Sequence, residues 1–204
     1  ENFAGGVPPA LQAYGAPELL DRALAPVEDL AVTVVDNSSS PKVREVAERH
    51  GARYLDPGRN GGFASGVNHG LAQRQLPGAD VLLLNPDAEL LAGLEPLVGA
   101  FAADQRVACA GPLVEVAGLL PWDNARRSPG LVRMIVEYWG WSSKLRGTVL
   151  SQRYRRLPRD VGYVSGACLL VRRRAWIDVG PFDERFWLYS EEVDWARRAR
   201  RRGW

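Results

Sequence analysis

The chain repeats one pattern that few folds accommodate. Short runs of aliphatic and β-branched residues, "LAVTVVDN", "DVLLLNPD" and "VACAGPLVEV", alternate with helix-forming stretches. Apolar runs of this length, bounded by polar, Gly or Pro turn residues, read as buried strands. "ARYLDPG" reads as a shorter strand and turn. Between them, "SSSPKVREVAERHG" has Ser40 to cap a helix, Pro41 for its first position and Gly51 for its stop. "GFASGVNHGLAQRQ" reads as a helix entered through glycines, and "AELLAGLEPLVGAFAAD" as an apolar-periodic helix. Strands alternating with helices predict an α/β fold: a mostly parallel sheet with helices on both faces. In such sheets ligands bind beyond the carboxyl ends of the strands.

The edges of this pattern are less regular. "GVPPALQAY" makes a poor first strand, because two prolines interrupt it. The middle, about 120 to 157, loses the alternation and reads as a helical or loop excursion rich in Arg and Trp. Order returns with "GYVSGACLLVRRRAWIDVGPFDERF", a strand, a short helix and a Gly-Pro turn. A last helix begins near Ser190 and runs into Trp204, the pattern of a partial version of a longer protein truncated at its C-terminus. No repeat or linker divides the chain, so 1–204 is expected to be a single domain.

Composition excludes several classes. The 204 residues suffice for one domain with a proper core, and 46% hydrophobic with 25% charged residues is ordinary for a globular protein. A net charge of +2 gives no argument for nucleic acid as a partner. Cys109 and Cys168 lack metal-ligand spacing, and a reducing, cytoplasmic setting is expected. No run is long enough to span a membrane, and the N-terminus lacks the pattern of a secretory signal. Charge is uneven: from Arg126 to Arg174 there are twelve Arg or Lys against Glu137 and Asp160. That segment holds "VEYWGWSSKLRG". Cations interleaved with Trp and Tyr can mark an anionic membrane surface. They equally describe a solvated helix face with aromatic anchors in the core, and this structural reading is favoured.

Four stretches put polar groups where strands end. In "VVDNSS", Asp36 could hold a base or ribose, or could serve only a turn. In "RNGGFASGVNHG", Gly61, Gly62 and Gly66 permit close backbone approach, and amides at a helix start can meet phosphate. The alternative is a glycine turn packed on a helix. In "LLLNPDAEL", Asn85 and Asp87 offer oxygen donors of the kind Mg²⁺ uses, since that ion often takes one or two carboxylates plus water and substrate phosphate. Asp87 could instead cap the next helix. In "YSEEVDWARRARRRGW", Asp194 has Arg197 and Arg198 within one helical turn, whereas Glu191 and Glu192 have no cation within helical reach. Adjacent carboxylates resist ionising together, which suits a general base better than a salt bridge.

Taken in order, these pieces resemble the family-2 glycosyltransferases of the GT-A fold, particularly bacterial rhamnosyl- and galactofuranosyl-transferase-like members. The resemblance rests on "AYGAPELL", "VTVVDNSSS", "NGGFASGVNHGL", "LLLNPDAEL", "YVSGACLLVRR" and "GPFDERFWLYSEEVDWARRARRRGW". It implies a nucleotide-sugar-binding half, about 1–118, and an acceptor and catalytic half, about 119–204. By the same resemblance Asp36 contacts the base, and Tyr14 lies with it on the nucleotide-sugar side. The Asn60, Gly62, Phe63, Gly66 and Asn68 segment binds nucleotide. Asn85-Pro86-Asp87 stands for the Asp-x-Asp motif, with Asp87 as metal ligand for Mg²⁺ or Mn²⁺. Gly166 and Ala167 line the donor and acceptor side. Glu191-Glu192 matches the acidic pair whose second member is the base, and Asp194 completes the acidic set.

The implied activity is inverting transfer of a sugar, rhamnose-like or similar, from a nucleotide-diphosphate donor to a saccharide or lipid-linked acceptor. Peripheral contact with the inner face of the plasma membrane would fit the basic aromatic middle. Three departures from the family pattern are the poor first strand, the Glu-Glu pair, and the lack of a later His, since His50 and His69 come too early. They motivate the alternative of a nucleotide-sugar or carbohydrate-binding module without turnover. A nucleotidyltransferase is disfavoured, because "AYGAPELL" lacks a Gly-rich cationic loop.

Overall fold

The computed structural model describes residues 7–116, 119–122, 124–154 and 160–204. The stretch "ENFAGG" and Arg155, Arg156 and Arg159 of the basic segment lie outside the described residues. The first half alternates as expected: β1 (Pro9–Ala13), α1 (Pro17–Leu24), β2 (Thr33–Asp36), α2 (Pro41–Arg49), β3 (Arg53–Leu55), α3 (Gly62–Ala72), β4 (Val81–Leu84) and α4 (Glu95–Ala103). Then come β5 (Cys109–Ala110), β6 (Val114–Val116), β7 (Leu119–Trp122), β8 (Ala125–Arg126) and α5 (Leu131–Tyr138). The chain returns through β9 (Tyr163–Val164), β10 (Cys168–Val171), α6 (Arg173–Val179) and α7 (Glu191–Arg201).

The main sheet has the order β3-β2-β1-β4-β10-β5. The first four strands of that order are mutually parallel, while β10 runs antiparallel to both β4 and β5. Alternation along the strands divides the core. Leu11, Leu82, Leu84 and Leu170 face a cluster with Leu20 and Leu24 of α1, Val43 and Ala47 of α2, and Phe101 of α4. Ala10, Leu83, Leu169 and Val171 face the other side, with Ala64, Val67 and Leu71 of α3, Ala175 of α6, and Trp195 and Ala199 of α7.

Four sequence expectations need correction. The first strand is well formed and lies inside the sheet. Pro9 occupies its first position, where a missing N–H is tolerated, and the Pro8 carbonyl accepts from Leu82 N at 3.3 Å. The apolar helix begins at Glu95, not at Ala88, because Pro96 can stand in the first turn but not in the interior. Asp87 therefore caps no helix. "VACAGPLVEV" is two strands, β5 and β6, separated at Gly111-Pro112. At the start of α2, Pro41 sits in the first turn as expected, but the Ser40 side chain forms no capping bond.

Buried Arg172 ties the reversed strand to α4. Its guanidinium donates to Val107 O at 2.6 Å, Phe101 O at 2.8 Å and Asp104 O at 2.9 Å, and lies 4.4 Å from the centre of the Phe101 ring.

Candidate active site

The carboxyl ends of β1, β2 and β4 point to one edge, and the reversal of β10 brings its beginning there too, with Cys168 opposite Leu84. Asn85 N donates to Ala167 O at 2.9 Å, so Asn85-Pro86-Asp87 and Gly166-Ala167 sit side by side. Gly166 faces Phe63, and a β-carbon there would lie 3.2 Å from Phe63 Cζ. Phe63 N in turn donates to Trp187 O at 2.9 Å, which brings in the loop before α7. A chain of contacts thus runs from the Asp87 turn through Gly166, Phe63 and Trp187 to Glu191.

Asp36 is completely buried and its carboxylate is saturated. One oxygen accepts from Ser38 N at 2.8 Å and Ser38 Oγ at 2.5 Å; the other accepts from Ser40 N at 2.7 Å and Tyr54 Oη at 2.9 Å. It shapes the loop in this conformation, and contact with a base would require one of these donors to yield. Burial, and after it the bond to Asp36, pushes the Tyr54 phenol up to about 12. Tyr14, by contrast, ends β1 and is 65% exposed.

The glycine segment is occupied largely by the protein itself. Gly62 has φ +83°, and a β-carbon there would fall 2.3 Å from Trp187 O. A β-carbon on Gly66 would fall 2.5 Å from Gln12 Cγ. Asn37 Nδ2 donates to Gly62 O at 2.9 Å, and Asn60 Oδ1 accepts from Gly62 N at 3.0 Å. Asn68 pins the later loop: its Nδ2 donates to Phe182 O at 2.9 Å and its Oδ1 accepts from Phe182 N at 3.0 Å. These residues position α3 and the loop before α7 against each other. Glycine spacing alone could not distinguish this close approach from one made by a ligand.

Asp87 is exposed, and among the described residues neither its carboxylate nor the Asn85 side-chain amide makes a hydrogen bond or ion pair. Among the described residues no group of three or more His, Cys, Asp and Glu could hold a metal. One free carboxylate beside an amide oxygen still fits a hard divalent cation whose remaining ligands are water and substrate phosphate.

The acidic pair stands differently. Tyr189 and Ser190 both adopt left-handed backbone, with φ 67° and 76°, immediately before α7. Consecutive non-glycine residues in this region are costly and cluster where function demands a fixed geometry. Behind the pair, Trp195 stacks on Trp176 at 5.9 Å and its indole donates to Gly180 O at 2.9 Å, which fixes the first turn of α7. Glu191 is buried, and both Glu191 and Glu192 have one carboxylate oxygen out of solvent and without a partner. Burial, then the charge on Glu192, pushes Glu191 up to about 7. Burial also raises Glu192, while backbone N–H groups at the start of α7 act to lower it. The two carboxyls resist ionising together, so the pair takes up protons at a higher pH than isolated carboxylates do. Tyr163 of β9, overlooked in the sequence, feels the Glu192 charge; its phenol is raised, mainly by burial. Asp194 accepts from Arg198 Nε at 2.7 Å, and that guanidinium also donates to Val179 O at 2.9 Å and Pro181 O at 2.8 Å. Asp194 thus has the intrahelical partner its spacing suggested.

The raised Glu191 has a stability consequence. Its folded value exceeds the ordinary 4.5, so between 4.5 and about 7 the folded state holds more protons than the unfolded chain. Stability then falls as pH rises through that window and levels off above it. Glu191→Gln is expected to flatten this fall and to stabilise the protein at about pH 8 by on the order of 1 kcal/mol, read from urea unfolding at about pH 5 and about pH 8.

Comparison with known proteins agrees with this architecture. The sequence profile described as "Glycosyl transferase family 2" matches residues 13–180. An N-acetylglucosaminyl-diphospho-decaprenol L-rhamnosyltransferase of Mycobacterium tuberculosis is 31% identical over 206 residues, covering 91% of this chain and 66% of the relative. A low-salt glycan biosynthesis hexosyltransferase of Haloferax volcanii is 28% identical over 173 residues, covering 82% of this chain and 52% of the relative. The chain thus spans about one half to two thirds of the length of these relatives. Among solved structures, a mannosyltransferase from Pyrobaculum calidifontis in complex with GDP-Man and Mn²⁺ superposes with a TM-score of 0.60 at 16% identity, covering 95% of this chain and 51% of that one. A glucosyl-3-phosphoglycerate synthase from Mycobacterium tuberculosis in complex with phosphoglyceric acid gives 0.56 at 17% identity, covering 93% and 63%. These likenesses establish the GT-A fold.

Proposed function

The chain belongs to glycosyl transferase family 2, and from that premise we propose that it transfers a sugar, rhamnose-like or similar, from a nucleotide-diphosphate donor to a hydroxyl of a saccharide or lipid-linked acceptor with inversion. The observation that carries this reading is the acidic pair. Burial raises both carboxyls, and Glu192 has a desolvated, unpartnered oxygen at the start of a well-anchored helix. A carboxylate so placed is an effective general base.

Glu192 accepts the proton of the acceptor hydroxyl. That oxygen forms its bond to the anomeric carbon from the face opposite the leaving group. The bond from the anomeric carbon to the diphosphate breaks, and the diphosphate leaves with the electron pair. Glu191 stands beside it, and its burial limits the negative charge the pair carries. Asp87, with Asn85 beside it, would hold Mg²⁺ or Mn²⁺; when bound, such an ion neutralises charge on the diphosphate. Tyr14 and the backbone near Gly166 and Ala167 offer surfaces for the nucleotide and sugar. The acceptor class draws on the decaprenol-linked substrate in the name of the mycobacterial relative.

Nucleotide sugars screened by thermal shift test the donor and metal assignments together. The matching donor is expected to raise the melting temperature with Mn²⁺ or Mg²⁺ present, equivalent to about 2.7 kcal/mol at a hundredfold excess over Kd. Asp87→Ala should lose the metal-dependent part of that rise. An equal rise in Asp87→Ala, or without divalent ion, rejects Asp87 as the ligand. A donor that binds but never yields nucleotide diphosphate in the presence of acceptor would favour a binding module instead.

A further inference from the structure

Helix α5 is built inside out. Leu131, Met134, Ile135 and Tyr138 fall at the i, i+3, i+4, i+7 positions of one helical stripe, which a globular protein normally turns inward. Here they are 77, 58, 50 and 90% exposed. The opposite side carries Val136 and the two charged residues of the helix, and it faces the protein. Glu137 sits between Arg126 at 3.7 Å and Arg153 at 3.6 Å, while Arg133 donates to Ser128 O at 2.8 Å and Val149 O at 2.9 Å. The Arg133 bond joins α5 to exposed Val149 and Leu150. Trp139 and Trp141, also exposed, lie with ring centres 5.7 Å apart at the end of the helix. Contiguous apolar exposure on this scale marks an interaction surface.

The charges around it select the occupant. From Arg126 to Arg153 the chain carries six cations against one acid, Glu137; Arg126, Arg133 and Arg153 turn to partners within the protein, while Lys144 and Arg146, just after Trp141, are exposed. Next to the helix an open cleft of about 310 Å³ has Arg127, Arg133 and Arg200 in its walls, with Asp160 paired to Arg200 at 3.1 Å. A second copy docked face to face would bring two such net-cationic segments against each other. Anionic phosphate headgroups complement them, while the aliphatic stripe enters the acyl boundary and Trp and Tyr take the interfacial level. Among the described residues no helix is long and apolar enough to cross a membrane, so contact of this kind is with its surface.

We propose that the outward face of α5, with Trp139, Trp141, Val149 and Leu150, is a docking surface for an anionic lipid bilayer. The proposal stands on the exposed face alone and requires no sugar transfer. Strand β9 pairs with β8 just before α5, and its Tyr163 feels the charge of Glu192.

The test is co-sedimentation of the full chain with vesicles of phosphatidylglycerol in phosphatidylcholine, without donor or metal. The expected result is binding that weakens as salt is raised, and that falls about tenfold or more in the double variant Ile135→Ser/Tyr138→Ser. The substituted side chains are exposed, so an unchanged melting temperature serves as the folding control. No binding to these vesicles, or undiminished binding by the variant, overturns the proposal. So does a concentration-dependent dimer that the same variant abolishes, which would make the face a contact between copies. A transfer assay that fails while vesicle binding persists would count against the proposed reaction and leave this surface intact.

Discussion

Glu192→Gln is expected to lower turnover by a factor of about 10²–10⁴, the range removed with a positioned general base, while the donor-induced thermal shift survives. Glutamine keeps the shape and hydrogen-bonding capacity of the side chain but cannot take a proton. The partner variant Asp194→Asn discriminates. Asp194 already spends its carboxylate on Arg198, so its loss should reduce stability modestly and leave turnover within a few-fold. If Asp194→Asn abolishes transfer with donor binding intact and Glu192→Gln does not, the base assignment is wrong. The pH profile offers an independent reading. The pair titrates as a unit, so the rate should fall toward acid with an apparent value belonging to both carboxyls. Because Glu191 and Glu192 are both raised, that fall should begin at a higher pH than an isolated carboxylate would give.

The second large effect is structural. Gly62→Ala combines left-handed backbone, φ +83°, with a β-carbon 2.3 Å from the carbonyl oxygen of Trp187. The first penalty is about 1–2 kcal/mol for a non-glycine residue. The second cannot be relieved by a side-chain rotation, because the obstructing atom is backbone. A total loss of about 2–4 kcal/mol is expected, or a fall in melting temperature of roughly 5–15 °C for a domain of this size. Gly78→Ala, where a β-carbon meets nothing within 4 Å, is the control and should change little. The displaced Trp187 carbonyl is the acceptor for Phe63 N, and four residues later the chain enters α7. Turnover should therefore suffer beyond what partial unfolding explains.

Much of the architecture can be read from residue types, and the failures have physical causes. Short apolar runs identified β2 and β4, since an apolar segment of four or five residues with polar ends has few other uses. The same run carries no direction, so nothing in "ACLLV" indicates that β10 runs against its neighbours. Pro8 and Pro9 read as strand breakers because proline lacks a donor, yet Pro9 stands at the first position of the strand and the Pro8 carbonyl accepts from Leu82 N. At the site, Glu191 and Glu192 stood out by lacking cations within helical reach, a property of spacing along one element. Asp36 could not be understood that way. Its saturation depends on Tyr54, which reaches it from the neighbouring strand. The glycines of α3 pose the same difficulty: sequence shows that something approaches closely, but not that Trp187 and Gln12 do so.

The path of the chain between β5 and β10 has a bearing on divergence. These two strands are adjacent in the sheet, yet the whole excursion through β6, β7, β8, α5 and β9 lies between them in sequence. The excursion leaves and rejoins the sheet at neighbouring points, so its length and composition can drift without shifting the register of a single strand. The residues at the ends of β1, β2 and β4 are insulated from that drift. A lineage built on this plan is free to exchange the surface the excursion carries by rewriting a single contiguous segment, with the sheet held constant.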